Sequence, residues 1–350
     1  MRGPVSEGDW RGVVRDVRVT GHRVTKRATH GRDKLLREVA WLKALPPRAV
    51  GYFPRVLEVR TGEGWAEYDM DFCPWPDMSR VLVDGTLTVD EAISGTRSLL
   101  GFAFDVLYAD HHRPAPEDFF HVSYVDKFWR RASAGRGMSE RFDRLCSAEQ
   151  LDIHGRVYPS AASLMRELQR DTVLLSRLRP PCLGRFHGDF KYDNVLFEPA
   201  TGRFLLLDPR GSTVTGDSDS DYMEDLAKLR TCTRGLYDLV RAGAARVSEG
   251  EGRISWEWAA WAGPALQRFA ALDSWLVDEL SVKARARRDA DWRVRLDVLA
   301  PLLLLANAPF QLAPVNPRTE DIALVLHATG VRLLAEALEL HGTRDIGVSP

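Results

Sequence analysis

One segment of the chain, GRFHGDFKYDNVLFEPATGRFLLLD from residue 184 to residue 208, constrains the fold more than any other. Two short apolar runs, VLF and FLLL, lie on either side of a Pro/Gly turn, which is the pattern of a β-hairpin. In a hairpin, the residue before the first strand lies next to the residue after the second strand. We therefore expect Asn194 and Asp208 to lie side by side.

The polar groups that this hairpin brings together have the chemistry of a magnesium site. An amide oxygen and a carboxylate are hard ligands, and Mg²⁺ takes few protein ligands alongside waters and phosphate oxygens. Asp189 lies upstream of Asn194 on the loop, where it is free to face an incoming hydroxyl. An H-G-D tripeptide alone is more often a solvated Asx-type turn. The prediction of a base beside a metal site therefore depends on the whole pattern.

The N-terminal region has the pattern of a small β-rich lobe. Two strand-like runs around TGH predict a hairpin over residues 13–28, and RDKLLREVAWLKALP predicts one amphipathic helix. Two further strand-like runs follow, RVLEVR and GWAEYDMDF, before CPWPDM interrupts the pattern with two prolines. We place a lobe boundary at this point, so that the predicted lobes are residues 1–75 and 76–350.

The C-terminal region is predicted to be mostly helical, which gives an α+β fold overall. The predicted helical segments are 89–109, 161–178, 222–242, 256–282 and 319–340. Only residues 183–211 interrupt them with strand-like runs. Tryptophans at 256, 258, 261 and 275 have helical spacing, and we expect them in the core rather than on a sugar-stacking surface.

Composition excludes several classes of protein. With 48 Lys plus Arg against 49 Asp plus Glu, the net charge of −1 gives no global attraction to nucleic acid or to an anionic membrane. Four scattered cysteines, without a C-x-x-C pair, indicate a reduced compartment rather than a disulfide framework. The most apolar run, residues 299–310, is too short to span a bilayer and contains two prolines. We expect a cytoplasmic protein with neither a nucleic-acid nor a membrane partner, and the sequence predicts no particular oligomeric state.

The order H-x-D-x-x-x-x-N, a hairpin and then Asp resembles the catalytic loop of the kinase mechanism. HGDFKYDN together with LLLDPRG is similar to the aminoglycoside phosphotransferase and choline-kinase-like family. The resemblance implies a bilobal protein-kinase-like fold, with a β-rich N-terminal lobe and a larger helical lobe. It also implies ATP and Mg²⁺ as cofactors and a hydroxyl group of a small molecule as the phosphate acceptor.

The resemblance implies roles for the catalytic loop, residues 187–194, and for the metal motif, residues 208–211. Asp189 would be the catalytic base and His187 would brace the loop. Asn194 and Asp208 would hold Mg²⁺. Lys191 would touch the transferred phosphate or, with about equal weight, be a solvated loop lysine.

A nucleotide site in the N-terminal lobe follows from the same resemblance. Lys26 lies on the predicted second strand and would hold the α and β phosphates, while Glu38, on the following helix, would hold Lys26. Either residue alone would more often be a surface residue. Backbone groups around Asp71 and Cys73 would bind adenine at the hinge between the lobes.

Two alternatives to a phosphotransferase remain. The stretch that contains Gly8 and Gly12 lacks the pattern G-x-G-x-x-G, which favours a non-catalytic, pseudokinase-type binding module. The presence of every residue needed for transfer favours an enzyme. Transfer of a nucleotidyl group to a protein has no separate support in the sequence.

The residues after the hairpin bear on the acceptor. DPRGSTVTGDSDSDYMEDLAKL extends the resemblance toward a branch associated with polysaccharide and sugar-metabolite biosynthesis. An acidic cluster at 217, 219, 221 and 224 favours the start of a helix over a site for a cationic acceptor such as an aminosugar. Arg210 either neutralises a phosphate or pairs with these carboxylates. His111 and His112 are expected to cap a helix at the surface.

Overall fold

The computed structural model describes residues 15–109, 113–211, 219–313 and 315–342. The chain divides into two compact units, of which the first comprises Met1–His112 and Gly184–Asp225. The second comprises Arg113–Leu183 and Leu226–Pro350. The strand-rich N-terminal region and the catalytic loop therefore belong to one unit. The predicted lobe boundary after residue 75 lies inside this unit and stays a prediction.

Strands and helices are numbered here in chain order. The strands are β1 (Arg15–Thr20), β2 (Arg23–Ala28), β3 (Val56–Gly62), β4 (Trp65–Asp71), β5 (Gln150–Ile153), β6 (Arg156–Pro159), β7 (Gly184–Arg185), β8 (Val195–Glu198), β9 (Arg203–Leu206), β10 (Asp219–Ser220), β11 (Ala245–Gly250) and β12 (Arg253–Trp258). The helices are α1 (Arg32–Lys43), α2 (Met78–Val83), α3 (Val89–Phe102), α4 (Asp126–Gly135), α5 (Glu140–Ser147), α6 (Ala161–Arg170), α7 (Thr172–Leu178), α8 (Tyr222–Thr233), α9 (Tyr237–Arg241), α10 (Gly263–Ala286), α11 (Trp292–Asn307) and α12 (Pro317–His341). Strands at the start and helices through most of the rest confirm the α+β class.

The first sheet has the order β1-β2-β4-β3, and all of its neighbouring strands are antiparallel. The predicted hairpin is confirmed as β1 and β2, which meet at a turn with Gly21 at φ 59°. The register pairs Lys26 with Tyr68 and Val24 with Met70. Because cross-strand partners share a face of the sheet, Lys26 lies among apolar side chains.

Helix α1 packs against this face of the sheet. It follows Gly31, whose φ of 78° suits glycine, and it buries Leu35, Glu38 and Val39 at helical spacing. Leu35 and Val39 join Val24 and its neighbours in the hydrophobic core of the sheet. The same periodicity directs Glu38 to the face of the sheet on which Lys26 lies.

The second unit contains a sheet that the sequence analysis did not predict. Its order is β11-β12-β5-β6, and β12 runs parallel to β5 through the pairs Arg253–Asp152 and Ile254–Ile153. The prediction that only residues 183–211 interrupt the helices is therefore wrong. Strands β5 and β6 are four residues each, too short for a clear alternation of apolar and polar side chains.

The predicted helix over 256–282 is wrong at its start, because Trp256 and Trp258 lie on strand β12 and helix α10 begins at Gly263. The expectation of a tryptophan core is also wrong. Trp261 is 52% exposed, and Trp256, Trp258 and Trp275 are half-buried. The spacing of the four tryptophans is compatible with a helix, but Trp256 and Trp258 lie two residues apart on a strand.

Two other predicted helices are each divided in two. The segment 161–178 breaks at Asp171, whose side chain caps α7 by accepting a hydrogen bond of 2.8 Å from the Leu174 amide. The segment 222–242 breaks before α9, where Leu236 adopts a φ of 54°. In both cases the apolar spacing continues across a local break in the backbone.

Helices α11 and α12 carry much of the core of the second unit. Twelve residues of α11 are buried, including the apolar run that begins at Leu299 and the internal Pro301. The predicted helix over 319–340 is confirmed by α12, and the one over 89–109 by α3 followed by a π-helical turn, Ala103–Leu107. Among the described residues, no helix has both the length and the hydrophobicity needed to cross a bilayer.

Candidate active site

The hairpin after the catalytic loop forms as predicted. Strands β8 and β9 pair in the register Val195–Leu206, and Gly202 supplies a φ of 71° at the turn. The Leu207 amide donates a hydrogen bond of 2.8 Å to the Asn194 carbonyl. Asn194 and Asp208 thus lie at the same end of the hairpin, as the sequence predicts.

The D-P-R-G segment that follows β9 lies against helix α1. Asp208 adopts a φ of 57°, which is uncommon for a residue with a side chain, and Gly211 has a φ of 70°. A Cβ atom added to Gly211 would lie 2.4 Å from the Arg37 carbonyl oxygen. Only glycine allows this approach to the backbone of α1.

Lys26 and Glu38 form the predicted ion pair. The Lys26 Nζ atom lies 3.0 Å from the Glu38 Oε1 atom, and both residues are buried, with exposures of 4% and 1%. The surface alternative for these two residues is therefore wrong. Lys26 also forms an ion pair with the Asp208 Oδ1 atom. The chain of charges Glu38–Lys26–Asp208 connects α1, β2 and the metal motif.

Tyr68 completes this chain of charges and was missed by the sequence analysis. Its hydroxyl donates a hydrogen bond of 2.6 Å to the Glu38 Oε1 atom, the same oxygen that contacts Lys26. The available signal was the alternation in WAEYDMD, which places Tyr68 opposite Lys26 in the sheet. Two donors on one buried carboxylate oxygen fix its position.

His187 braces the catalytic loop from a buried position. Its Nδ1 atom accepts a hydrogen bond of 3.2 Å from the Asp189 amide, so the ring proton is carried by Nε2. The ring stacks on Phe53 with centroids 6.2 Å apart and meets Phe190 edge-on at 5.9 Å. Trp41 on α1 also meets the ring edge-on. These contacts fix the backbone that presents Asp189.

Asp225, on helix α8, holds the other side of the loop. Its two carboxylate oxygens accept hydrogen bonds of 2.7 Å from the backbone amides of His187 and Gly188, and Tyr108 donates a third of 3.2 Å. Burial raises the pKa of Asp225 to about 7, against the opposing effect of the two backbone donors. The sequence analysis gave this residue no role, although it lies in the D-L-A-K-L run.

The two carboxylate oxygens of Asp189 have different surroundings. The Asn194 Nδ2 atom donates a hydrogen bond of 3.0 Å to Oδ2 and a second of 2.8 Å to the Asp189 carbonyl. The Lys191 Nζ atom lies 3.9 Å from Oδ2, and the Arg210 Nη2 atom lies 3.8 Å from Oδ1. The Asp189 side chain is 25% exposed.

Lys191 is not a solvated loop lysine. It is buried, and its Nζ atom lies 3.1 Å from the Asp193 Oδ2 atom. The solvated alternative is therefore wrong, whereas contact with a transferred phosphate stays a prediction. The position of Lys191 between Asp193 and Asp189 places one positive charge beside the candidate base.

The donor set fits Mg²⁺. The amide nitrogen of Asn194 is engaged by Asp189, which leaves the amide oxygen to act as a ligand. Asp208 supplies a carboxylate that is 36% exposed. Within the described residues, no group of three or more His, Cys, Asp or Glu could hold a metal by itself. Two oxygen ligands are sufficient for Mg²⁺ when phosphate oxygens and waters complete its coordination.

The predicted hinge residues lie at and just beyond the end of β4. The Asp71 amide donates to the Arg55 carbonyl at 3.2 Å, and the Phe72 amide donates to the His22 carbonyl at 2.9 Å. Cys73 is half-buried, and burial raises the pKa of its thiol. Contact of Asp71 and Cys73 with adenine stays a prediction.

The acidic cluster after the metal motif favours the start of a helix. Asp221 is buried, and its Oδ1 atom accepts a hydrogen bond of 2.9 Å from the Met223 amide at the start of α8. Glu224 is also buried, and Asp219 pairs with Arg185 in a short two-stranded sheet. The predictions for Asp217, Gly8, Gly12, His111 and His112 fall outside the described residues.

Searches of known proteins found structural similarity only. No family profile and no curated protein matches the chain. The structure of aminoglycoside-3'-phosphotransferase of type VIII is 22% identical over 76% of this chain and 93% of its own, with a TM-score of 0.38. A thermostable mutant of aminoglycoside phosphotransferase APH(4)-Ia, in its apo form, is 13% identical over 90% of this chain and 88% of its own, with a TM-score of 0.47. Because both TM-scores are below 0.5, these similarities do not support an argument about function. The function is therefore inferred from the residues of the chain itself.

Proposed function

We propose that the protein is a phosphotransferase that moves the γ-phosphate of ATP to a hydroxyl group of a small molecule, with Mg²⁺. The observation that carries this proposal is the environment of Asp189. Asn194 donates a hydrogen bond of 3.0 Å to one of its carboxylate oxygens, and the Asp189 side chain is 25% exposed, so a substrate hydroxyl can reach it. The same unit of the protein contains the Glu38–Lys26–Asp208 chain of charges.

Lys26 is the proposed phosphate-binding residue. In the kinase mechanism, a strand lysine held by a helix glutamate binds the α and β phosphates. Here the pair with Glu38 fixes the ammonium group, and the contact with Asp208 neutralises it. When phosphate oxygens take over this second contact, the Asp208 carboxylate is released to bind metal.

Adenine would lie against the edge of the first sheet. Val17 and Val19 on β1 are 53% and 56% exposed, and their cross-strand partners are Lys26 and Val24. Because such partners share a face, the two valines offer apolar surface on the lysine side of the sheet. Asp71 and Cys73 would provide backbone hydrogen bonds.

Asn194 and Asp208 would hold Mg²⁺, which would neutralise charge on the phosphate oxygens. Asp189 would then accept the proton of the acceptor hydroxyl. The hydroxyl oxygen forms a bond to the γ-phosphorus as the bond from that phosphorus to the β–γ bridging oxygen breaks. ADP leaves with the electron pair, and the proton passes to Asp189 and then to solvent.

The metal ligands are tested by calorimetric titration of MgATP into the parent protein and into Asp208→Asn. We expect weaker, less metal-dependent binding in the variant, because a neutral amide is a poorer Mg²⁺ ligand than a carboxylate. Circular dichroism should show the same fold. Equal affinity with equal metal dependence would remove Asp208 from the metal site.

The reaction itself is tested by incubating the protein with MgATP and a panel of sugars, aminosugars and related metabolites. Mass spectrometry would report an added phosphate on the acceptor. The competing proposal is a pseudokinase-type binding module, which the unmatched glycine pattern in the sequence favours. Binding of MgATP without turnover of any acceptor would support that module instead.

A further inference from the structure

A cavity of about 710 Å³ lies among helices α8, α10, α11 and α12. All of its described lining residues lie between Arg230 and Leu340, and therefore within the second unit. They include none from the proposed phosphotransferase site. The volume is in the range of roughly 300–1,000 Å³ that is usual for small-molecule sites, which often lie between helices. The cavity is therefore a candidate for a second ligand site.

Two irregular positions of the backbone meet at this cavity. Leu236 has a φ of 54°, a left-handed conformation that is uncommon for a residue with a side chain. Pro301 lies inside α11 and has no N–H group to donate to the Asp297 carbonyl, four residues earlier. Both Leu236 and Pro301 line the cavity. Uncommon backbone conformations are concentrated at ligand sites, so this coincidence supports a binding role.

The buried carboxylate of the lining, Asp297, is surrounded by cations. Its Oδ2 atom accepts a hydrogen bond of 2.8 Å from Arg293 and lies 2.9 Å from the His341 Nε2 atom, and its Oδ1 atom contacts Arg230. Burial acts to raise the pKa of Asp297, but Arg230 and the hydrogen bonds of His341 and Arg293 lower it overall. Asp297 is thus a fixed negative charge that orders the arginines around it.

Arg234 and Arg332 meet at a second carboxylate, Glu336. The Arg332 Nη1 atom donates a hydrogen bond of 2.7 Å to Oε1, and the Arg234 Nη2 atom donates one of 3.4 Å to Oε2. Their side chains are 30% and 49% exposed. Among the described residues, each of these two arginines contacts this one carboxylate only, although a guanidinium group carries five N–H donors. Two partly exposed guanidinium groups with further donors therefore lie on either side of Glu336.

We propose that the cavity binds a small organic anion, whose carboxylate or phosphate group is held by Arg234 and Arg332. Guanidinium groups suit this task because their planar donors bind such groups in a bidentate manner. The four arginines of the lining are matched by four carboxylates, so the placement of the donors rather than the net charge selects the ligand. The apolar part of the anion would lie against the leucines of the lining. This site does not depend on the proposed phosphotransferase activity.

The test compares four probes that share a benzene ring. Benzoate and phenyl phosphate are anions, benzyl alcohol is neutral and benzylamine is a cation. Titrations of the full chain followed by ligand-observed NMR give the dissociation constants. We expect at least one anion to bind roughly 10-fold or more tightly than the neutral and cationic probes, because hydrogen bonds to charged groups have this effect. The tighter of the two anions identifies the preferred group. The double variant Arg234→Gln/Arg332→Gln should lose the preference.

A second variant tests the cavity without changing any charge. Ala270 is exposed on α10 and lines the cavity, so the indole of Ala270→Trp should fill the space with little effect on stability. We expect the anions to bind this variant no more tightly than benzyl alcohol does. Gln267→Trp is the matched control, because Gln267 is exposed one turn earlier on α10 and lies outside the lining. Arg253→Gln, at a residue with 78% side-chain exposure on β12, is the control for the arginines.

Three results would overturn the inference. The first is equal binding of the four probes, or binding of none, by the parent protein. The second is unchanged anion binding in either the double arginine variant or Ala270→Trp. The third is loss of anion binding in Lys26→Ala, which would place the anion at the proposed phosphate site of the first unit. Retention of anion binding in Lys26→Ala and in both controls, with its loss in the two cavity variants, would support the site.

Discussion

Both units of the protein contain a buried ion pair, but only the pair in the first unit is connected to a solvent-exposed group. In the second unit, Arg295 and Asp289 contact each other with side-chain exposures of 0% and 2%, so the pair is closed to solvent. In the first unit, the pair of Lys26 with Glu38 continues to Asp208, whose side chain is 36% exposed. A closed pair holds a structure together, whereas an open chain of charges can exchange its last partner for a ligand.

The same contrast applies to the candidate base. Asp189 is partly exposed, and Asn194 donates a hydrogen bond to one of its carboxylate oxygens. Asp225, directly behind the loop, is fully buried and accepts hydrogen bonds from two backbone amides. Asp225 positions the loop, and Asp189 is presented to solvent by it.

The largest effect, a loss of turnover, is expected at the partly exposed Asp189. Asp189→Asn preserves size and most hydrogen bonding but cannot accept the hydroxyl proton, so turnover should fall by roughly 10²–10⁴-fold. MgATP affinity should change little, because the proposed ligands of the nucleotide and the metal are other residues, namely Lys26, Asn194 and Asp208. Steady-state kinetics and calorimetry would separate the two effects. Parental turnover in the variant would rule out Asp189 as the base, and loss of fold by circular dichroism would make it structural.

Breaking the buried ion pair of Arg295 and Asp289 should lower the stability of the protein. Arg295→Met leaves the Asp289 carboxylate buried without its main counter-charge, and we expect a loss of about 3–5 kcal/mol in the free energy of unfolding. Urea denaturation measures it. The double variant Arg295→Met/Asp289→Leu should recover most of the loss, because it removes both charges. If the double variant is as unstable as the single one, packing rather than charge explains the effect.

A buried histidine gives the second unit a further test. Burial lowers the pKa of His327 to about 4, and the ring meets Phe142 edge-on with centroids 5.5 Å apart. The folded state keeps this ring neutral, so its stability is fully present above pH 6.5 and is lost as the pH falls toward 4. We expect a loss of about 2 kcal/mol between pH 7.5 and pH 5.

Urea denaturation of the parent and of His327→Leu at the two pH values would isolate this contribution. The variant should lose less stability on acidification than the parent, whatever its stability at pH 7.5. The same pH dependence in both proteins would mean that other groups account for the acid sensitivity.

The smallest effect tests whether the open chain acts as a unit. Lys26→Ala and Glu38→Ala should each weaken MgATP binding, and the double variant should lose less than the sum by about 1 kcal/mol. The reason is that Glu38 acts through Lys26. Lys43→Ala, at the exposed end of α1, is the control and should bind normally. Additive losses would show that the two residues do not act as a pair.

The parts of the site that the sequence predicts are those encoded by local pattern. The hairpin brings Asn194 and Asp208 together because both flank the same pair of strands. The strand and helix order does the same for Lys26 and Glu38. Tyr68 and Asp225 lie far along the chain from the groups that they bind. The alternation in WAEYDMD indicates which face of the sheet Tyr68 lies on, but nothing in the segment around Asp225 indicates its contact with the catalytic loop.

The second sheet was missed for a related reason. Strands β5 and β12 are about one hundred residues apart and pair in parallel through only two residue pairs. The pairing of β5 with β12 is set by the tertiary structure, because the turn next to each strand fixes its register only against its hairpin partner, β6 or β11. The tryptophans on β12 have a spacing that predicts a helix, but the pairing of β12 with other strands determines the structure of this segment.

The close approach of Gly211 to helix α1 bears on regulation. Helix α1 carries Glu38, and an outward rotation of this helix would separate Glu38 from Lys26. Here the Arg37 carbonyl fits against Gly211 too tightly for a Cβ atom to enter, and Asp208 is three residues upstream. Any rotation of α1 must carry the D-P-R-G segment with it. Regulation by an outward movement of α1 would therefore also have to displace Asp208 and the rest of the D-P-R-G segment.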